Sequence, residues 1–558
     1  VGRGITRSSL TVSTERAETK EIPVADARDS PLLPIWVGVL LAADIAVVVL
    51  RSLARSGYLV QLDTAFGPRA PEIHWSLYAP VAALQSLSVH GLGGAATGRI
   101  YALIALALPG IGAAVLLRRL PWYAAATGIV LAELNPFVYE RMVEGQWAVV
   151  AAAGLLLLWV SALEHALSKP QLRAGIVLGI VGAAAVSVDN HAVGPLVALT
   201  IGAWWAHRKC SGAHRVILVA SATSFVLLAH GIVAFAVSRG RFSYTTVSQF
   251  GPAAFSTFRA NASSSITLFP RLLGLYGYWG ERIDRFPAAD AGVAWWLGAV
   301  VVLCGLALIG AKRDRGRAWL LVAGLFGIAV SASTALPGGA RLAGRVGDAV
   351  PLLAVFREPQ KWSALWLVAL VALVPAALTR SLAVGARRLH APVIALVAIA
   401  AILLPAGVTE VRDTSKIVTP VRYPASWTAA ADYMRRDVPR GEQIVVLPWH
   451  QFEVFDFIGR PTIDPSGVFF PGRLFASTDA ELPGEHASSE LQRFASLARG
   501  KSPRRCAFAA ELRTRSIQWA LVLNLPDARR VTTSLTACGW TPRFAAPDGL
   551  TVLRAADR

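Results

Sequence analysis

Over residues 33–411 the chain alternates long apolar blocks with short polar segments dense in arginine. A helix needs about 20 mainly apolar residues to cross a hydrocarbon core about 30 Å thick, and buried strands are too short to account for blocks of this length. The pattern predicts about eleven membrane-spanning helices, at roughly 33–52, 99–117, 121–138, 147–164, 174–188, 191–206, 215–237, 292–310, 318–335, 362–379 and 391–408. Only Asp189-Asn190-His191 interrupts the stretch 174–206, so one long bent helix is the alternative to a pair there.

Residues 1–32 are polar, of mixed charge and without an apolar leader core, which reads as a disordered cytoplasmic tail. After the last apolar block the pattern changes. Residues 412–558 read as a small α/β domain, with a helix at Pro424–Arg436, strands at Gln443–Trp449 and Gln518–Leu523, and a helix at Ala528–Ala537. A hairpin over Thr541–Arg554 turns at Pro547-Asp548-Gly549. The expected architecture is a polytopic α-helical membrane domain over 33–411, followed by this α/β domain.

Orientation follows from cation density in the short loops. Arg118 and Arg119, Lys169 and Arg173, Arg208 to Arg215, Lys312 to Arg317, and Arg380 to Arg388 fall on one side, which is placed in the cytoplasm. The longer loops 53–98, 238–291 and 336–361 then face outward. An odd number of spans from a cytoplasmic start puts 412–558 outside too, in a protein of the plasma (inner) membrane.

Composition agrees with the pattern. The chain is 54% hydrophobic and 16% charged, with mean hydropathy +0.50, whereas a soluble domain carries about 25% charged residues. The net charge of +19 comes from arginines spread over loops between apolar helices. That placement favours anionic head groups and phosphate-bearing substrates as partners, and not nucleic acid. The four cysteines form no CxxC or Cys/His cluster. Cys506 and Cys538 are the two after the last span, and an oxidising exterior would favour their pairing as a disulfide over two separate buried thiols.

Four constellations carry candidate chemistry. Asp63 sits among apolar residues in Gly57–Pro80 (GYLVQLDTAFGPRAPEIHWSLYAP), where partial desolvation would suit a base or a metal ligand, against the plainer role of a solvated or capping Asp. Asn135–Trp147 (NPFVYERMVEGQW) places Glu140, Arg141 and Glu144 near membrane depth, where charges are costly; a structural ion pair is the alternative. Asp189 and His191 could bind a metal or a sugar hydroxyl, or simply make a polar turn. In Phe356–Trp362 (FREPQKW), Arg357 and Lys361 flank Glu358 and Pro359 and are placed to meet a phosphate, against ordinary interfacial anchoring with Trp362 in an aromatic belt. The loop 238–291 is rich in aromatics, among them Phe258, Tyr278 and Trp279, and reads mainly as an interfacial amphipathic helix. There is no Walker motif, no GxGxxG in a βαβ setting and no GxSxG. Without a nucleotide site, an outward-facing transferase must draw on a membrane-delivered donor.

Together these features resemble the GT-C superfamily of polyprenyl-phosphate-sugar glycosyltransferases: a long first outer loop with an acidic residue, Asp63, many spans, then a soluble outer domain. LNPFVYER (Leu134–Arg141) followed by FREPQKW is similar to actinobacterial members related to the arabinofuranosyltransferases of mycobacterial arabinan. The resemblance implies an inverting transferase of cell-wall biogenesis. Its donor would be a polyprenyl-phosphate sugar such as decaprenyl-phosphoryl-arabinose or a polyprenyl-phosphate mannose, and its acceptor an envelope glycan or glycolipid. Asp63 matches the family's loop-one carboxylate. Many members carry two adjacent acids there; here Thr64 follows and the next acid is Glu72, which leaves a divalent cation as an open cofactor. On this reading Asp63 is the catalytic base, Arg357, Lys361 and Arg141 bind the donor phosphate, and Glu140, Asp189, His191 and Glu358 bind acceptor or sugar. The rival reading is a non-enzymatic transporter or flippase of lipid-linked precursors. It would show broken helices in both halves of the chain, and only the break near Asp189 is visible.

Overall fold

A computed structural model describes residues 55–73, 76–210, 212–237, 252–262, 265–283, 293–350, 353, 356–379, 416–477, 494, 496–498 and 506–556. The expected spans at 33–52 and 391–408 and the tail 1–32 lie outside the described residues, as do residues 238–251 of the aromatic loop.

Helix α1 (Ala79–Leu92) lies inside the expected first outer loop. It is followed by α2 (Gly94–Leu117), α3 (Trp122–Glu133), α4 (Pro136–Glu144), α5 (Trp147–Ser168), α6 (Leu172–Val188), α7 (Val193–His207) and α8 (Ala213–Val237). Next come the short α9 (Pro252–Thr257) and α10 (Ser265–Leu273), then α11 (Val293–Arg313), α12 (Ala318–Ser333), α13 (Gly339–Ala349) and α14 (Ser363–Thr379). Among the described residues four segments are long and apolar enough to cross a membrane: Gly94–Leu117, Trp147–Ser168, Ala213–Ala234 and Pro359–Thr379. Leu172–Val188 and Ala318–Ser333 are shorter apolar helices.

One expected span is reshaped by local chemistry. The block 121–138 is not one helix: α3 stops at Glu133 and α4 starts at Pro136. Pro136 disfavours helical geometry in the residue before it, and Asn135, extended at φ −148°, caps α4 by accepting from the Val138 N–H at 3.1 Å. The stretch 174–206 is the expected pair of helices and not one bent helix. Asp189 is extended (φ −139°), its side chain accepts from the His191 N–H, and a single 3-10 turn (Asn190–Ala192) leads into α7.

Helix α14 has no polar face, and side chains from Val368 to Val374 are fully buried, so it runs through the middle of the bundle. Helices α2 and α5 pack backbone to backbone: a Cβ on Gly154 would stand 2.4 Å from the Leu108 carbonyl carbon, a distance only glycine permits. At the far end of this pair, Arg317 grips Glu164 with two nitrogens, at 2.5 and 2.8 Å, and ties the start of α12 to the last turns of α5.

The C-terminal domain runs α15 (Ala425–Asp437), β1 (Gln443–Leu447), β2 (Phe452–Val454), β3 (Pro461–Ile463), α16 (Ser466–Phe469), β4 (Arg473–Phe475), α17 (Ala507–Thr514), β5 (Trp519–Val522), α18 (Ala528–Thr536), β6 (Trp540–Ala545) and β7 (Thr551–Ala555). Its main sheet has the order β4-β1-β5-β7-β6. Strands β4, β1 and β5 are parallel, while β7 and β6 are antiparallel additions. Strands β2 and β3 form a separate hairpin. Both faces of β1 are buried, with Trp427 and Phe470 in the core on one side and Trp449 and Phe494 in the core on the other. A disulfide joins Cys506, before α17, to Cys538, after α18, with Cα atoms 5.4 Å apart. Cys304 is half-buried in α11.

Candidate active site

The site begins with a tight turn in the first loop. Gln61 N–H donates to the Thr64 carbonyl at 2.7 Å and Phe66 N–H to the Leu59 carbonyl at 2.9 Å, which leaves Asp63 at the tip. The tip leans on the end of α4: Asp63 N–H donates to the Glu144 carbonyl at 3.0 Å, and Thr64 Oγ1 to the Gly145 carbonyl at 2.6 Å. Gly145 ends α4 at φ +83°, and a Cβ there would lie 2.6 Å from the Gln61 Cβ. The close approach of loop and helix end therefore requires glycine.

One residue on, Gln146 turns its amide toward two carboxylates. Nε2 donates to Asp63 Oδ2 at 2.7 Å and to Glu358 Oε2 at 3.1 Å, one N–H for each. Glu358 Oε2 also lies 3.5 Å from the Lys361 ammonium. Lys361 sits on a 3-10 turn (Pro359–Trp362) that feeds α14, and it packs 3.3 Å from His191 Nδ1. The same Nδ1 lies 2.9 Å from Asp189 Oδ1, and the shorter contact makes it the hydrogen bond, with Nδ1–H donating. With that tautomer, Nε2 of His191 is a buried atom without a protein partner among the described residues.

Asp63, Gln146, Asp189, His191 and Lys361 line a cavity of about 430 Å³ together with Tyr101, while Glu358 is not on its wall. That volume falls in the range of small-molecule sites. Asp63 opens onto the cavity, yet protein encloses the cavity at longer range. This enclosure pushes its carboxyl up from the usual carboxylate range, and the Glu358 charge adds to the rise, against Gln146, Lys361 and Arg357. Burial would raise Glu358 too, but Lys361, then Arg357, His191 and Arg141, outweigh it and hold that carboxyl well below the usual range. Asp189 also stays low: burial opposes its charge, but His191 and Lys361 prevail. The site thus holds carboxylates of opposite bias, Asp63 the more basic and Glu358 locked as an anion.

The structure brings Asp63, Asp189, His191, Glu358 and Lys361 into one constellation from three separate stretches of chain. Arg357 lies beside it, its guanidinium 5.4 Å from the Phe258 ring centre. Glu140 and Arg141 are buried in α4 behind the wall and do not line it. Arg141 sits 4.0 Å over the Tyr278 ring, from where its charge still reaches Glu358. Tyr278 is delivered by a loop that Glu281 organises, accepting from the Gly277 and Tyr278 N–H groups and from Asn261. Among the described residues no three His, Cys, Asp or Glu side chains converge to hold a metal ion. Between Asp63 and Glu358 stand the N–H donors of Gln146.

No family model matches the chain, and no curated protein matches it. Solved structures do. The arabinofuranosyltransferase AftD from mycobacteria aligns over 95% of this chain and 40% of its own, at TM-score 0.61 and 15% identity. A mutant of AftD aligns over 95% and 42%, at 0.60 and 16%. ArnT from Cupriavidus metallidurans, bound to undecaprenyl phosphate, covers 95% of this chain and 100% of its own at TM-score 0.44 and 13% identity. The chain shares the fold of AftD. It spans about two fifths of the length of AftD.

Within this fold one site residue escaped the sequence reading. Gln146 lies in the quoted NPFVYERMVEGQW segment but carries no charge to draw notice. Its signal was an amide between Gly145 and Trp147 at the mouth of an apolar span, and only the fold shows that it reaches Glu358, 212 residues away.

Proposed function

We propose that this GT-C chain is a membrane glycosyltransferase that moves a sugar from a polyprenyl-phosphate donor to a hydroxyl of an envelope glycan or glycolipid at the outer face. The observation that carries the reading is a single cavity with a carboxylate of raised basicity, Asp63, and an ammonium, Lys361, on its wall. Asp63 takes the proton of the acceptor hydroxyl. The acceptor oxygen bonds to the anomeric carbon as that carbon's bond to the phosphate oxygen breaks, and one displacement inverts the centre. The donor leaves as polyprenyl phosphate, its charge met by Lys361 and Arg357. His191 and Asp189 line the same wall and are placed to bind sugar hydroxyls.

The test is turnover in proteoliposomes with a panel of radiolabelled polyprenyl-phosphate sugars, decaprenyl-phosphoryl-arabinose first. Transfer with one donor is expected, together with a loss of about 10²–10⁴ in rate for Asp63→Asn at unchanged donor binding. Wild-type turnover in that variant would remove Asp63 from the mechanism.

A further inference from the structure

We infer that the C-terminal domain is a positioning element of the active site, and that Thr462 sets the place of Asp63 by anchoring the turn that carries it. The inference rests on the reading of Asp63 as the base.

Along residues 58–69 the first loop is held on its outer edge by the C-terminal domain. Tyr58 and Val421 exchange backbone hydrogen bonds, each 2.8 Å. Arg460 donates to the Val60 carbonyl at 2.9 Å, Thr462 Oγ1 to the Gln61 carbonyl at 2.7 Å, and Ile463 N–H to the Leu62 carbonyl at 3.0 Å. Beyond the tip, Tyr423 Oη donates to the Phe66 carbonyl at 3.0 Å and Arg69 N–H to the Val468 carbonyl at 3.0 Å. The three consecutive carbonyls before Asp63 are therefore all taken by the domain, and two of the donors, Thr462 and Ile463, come from β3. On the inner edge, Asp63 and Thr64 bond to Glu144 and Gly145 as described. The tip is clamped between two bodies, and Asp63 is the residue left facing the cavity.

Thr462 is the informative member because it is fully buried, and its hydroxyl meets the loop two residues from the carboxylate. Valine has the same shape without the donor, so Thr462→Val strips a partner from a buried carbonyl and leaves the packing in place. A displacement near 1 Å at a reacting group costs on the order of 10²-fold in rate. If the domain docked only for stability, the variant would melt earlier and each folded molecule would turn over normally.

The experiment uses the full chain in nanodiscs and compares wild type, Thr462→Val and Thr462→Ser. Two measurements are made: kcat and donor KM, and hydrogen exchange of the peptide spanning 58–66. The expected result for Thr462→Val is a kcat lower by about tenfold or more with donor KM within about twofold, faster exchange across 58–66 and unchanged exchange in β1 and β5. Thr462→Ser, which restores the donor, returns both readouts toward wild type. Wild-type kcat in Thr462→Val overturns the proposal, and so does unchanged exchange at 58–66. If the wild-type chain turns over no donor, the reading of Asp63 as base fails, and exchange alone then decides whether the domain holds the loop.

Discussion

Gln146 stands between Asp63 and Glu358, its Nε2 2.7 Å from one carboxylate and 3.1 Å from the other. Two carboxylates around one small space repel, and the amide's paired donors let both stay. They also split the two roles, because Glu358 has Lys361 as a further partner while Asp63 faces the cavity.

Gln146 lowers the Asp63 pKa, working against enclosure and the Glu358 charge. In Gln146→Leu that support is gone and Asp63 holds its proton to higher pH. The acid limb of the kcat/KM profile should move to higher pH, with the loss of turnover greatest on the acid side and partly regained as pH rises. An unshifted limb would show that Asp63 is not the group titrating.

Arg357 and Lys361 are assigned to the donor phosphate. Arg357→Ala and Lys361→Ala should each weaken donor binding by about 1.5–3 kcal/mol per charge-assisted hydrogen bond lost. Lys361→Ala also frees Glu358 from its ion pair and should be the more damaging of the two. Equilibrium binding of a labelled polyprenyl phosphate to each variant measures this. Unchanged affinity in both would return the segment to interfacial anchoring.

Asp464 lies next to Ile463, the β3 donor to the Leu62 carbonyl. Burial pushes its carboxyl up to about 6, although Ser466 donates to it from both N–H and Oγ. The folded value exceeds the unfolded one, about 3.9, so the neutral acid is the form folding favours. The associated stability is full below about pH 4 and is lost as pH rises through about 6. Asp464→Asn should therefore raise the melting temperature at pH 7.5 relative to wild type, with the gap shrinking or reversing at pH 4.5. A gap independent of pH would show that Asp464 does not titrate across this range.

In the sequence, block length and the absence of charge were enough to place α2, α5 to α8, α11, α12 and α14, because a long apolar run has few ways to satisfy its backbone except as a packed or membrane-crossing helix. The α/β character of the C-terminal region was equally legible, since the short apolar strand β1 and the turn at Asp548-Gly549 act locally. Asp63, Asp189, His191, Glu358 and Lys361 could each be named by type, a charge or imidazole where charge is expensive. Their meeting could not be read, because contacts such as Asp63 with Gln146 and Gln146 with Glu358 span 83 and 212 residues and depend on how α4, α5 and α14 pack. The helix break at Asn135-Pro136 is written in local sterics. That the resulting turn brings Gly145 and Gln146 against the Asp63 loop, while β3 holds the loop's other edge, was decided only by tertiary structure, since no local propensity encodes which distant carbonyl a buried hydroxyl will meet.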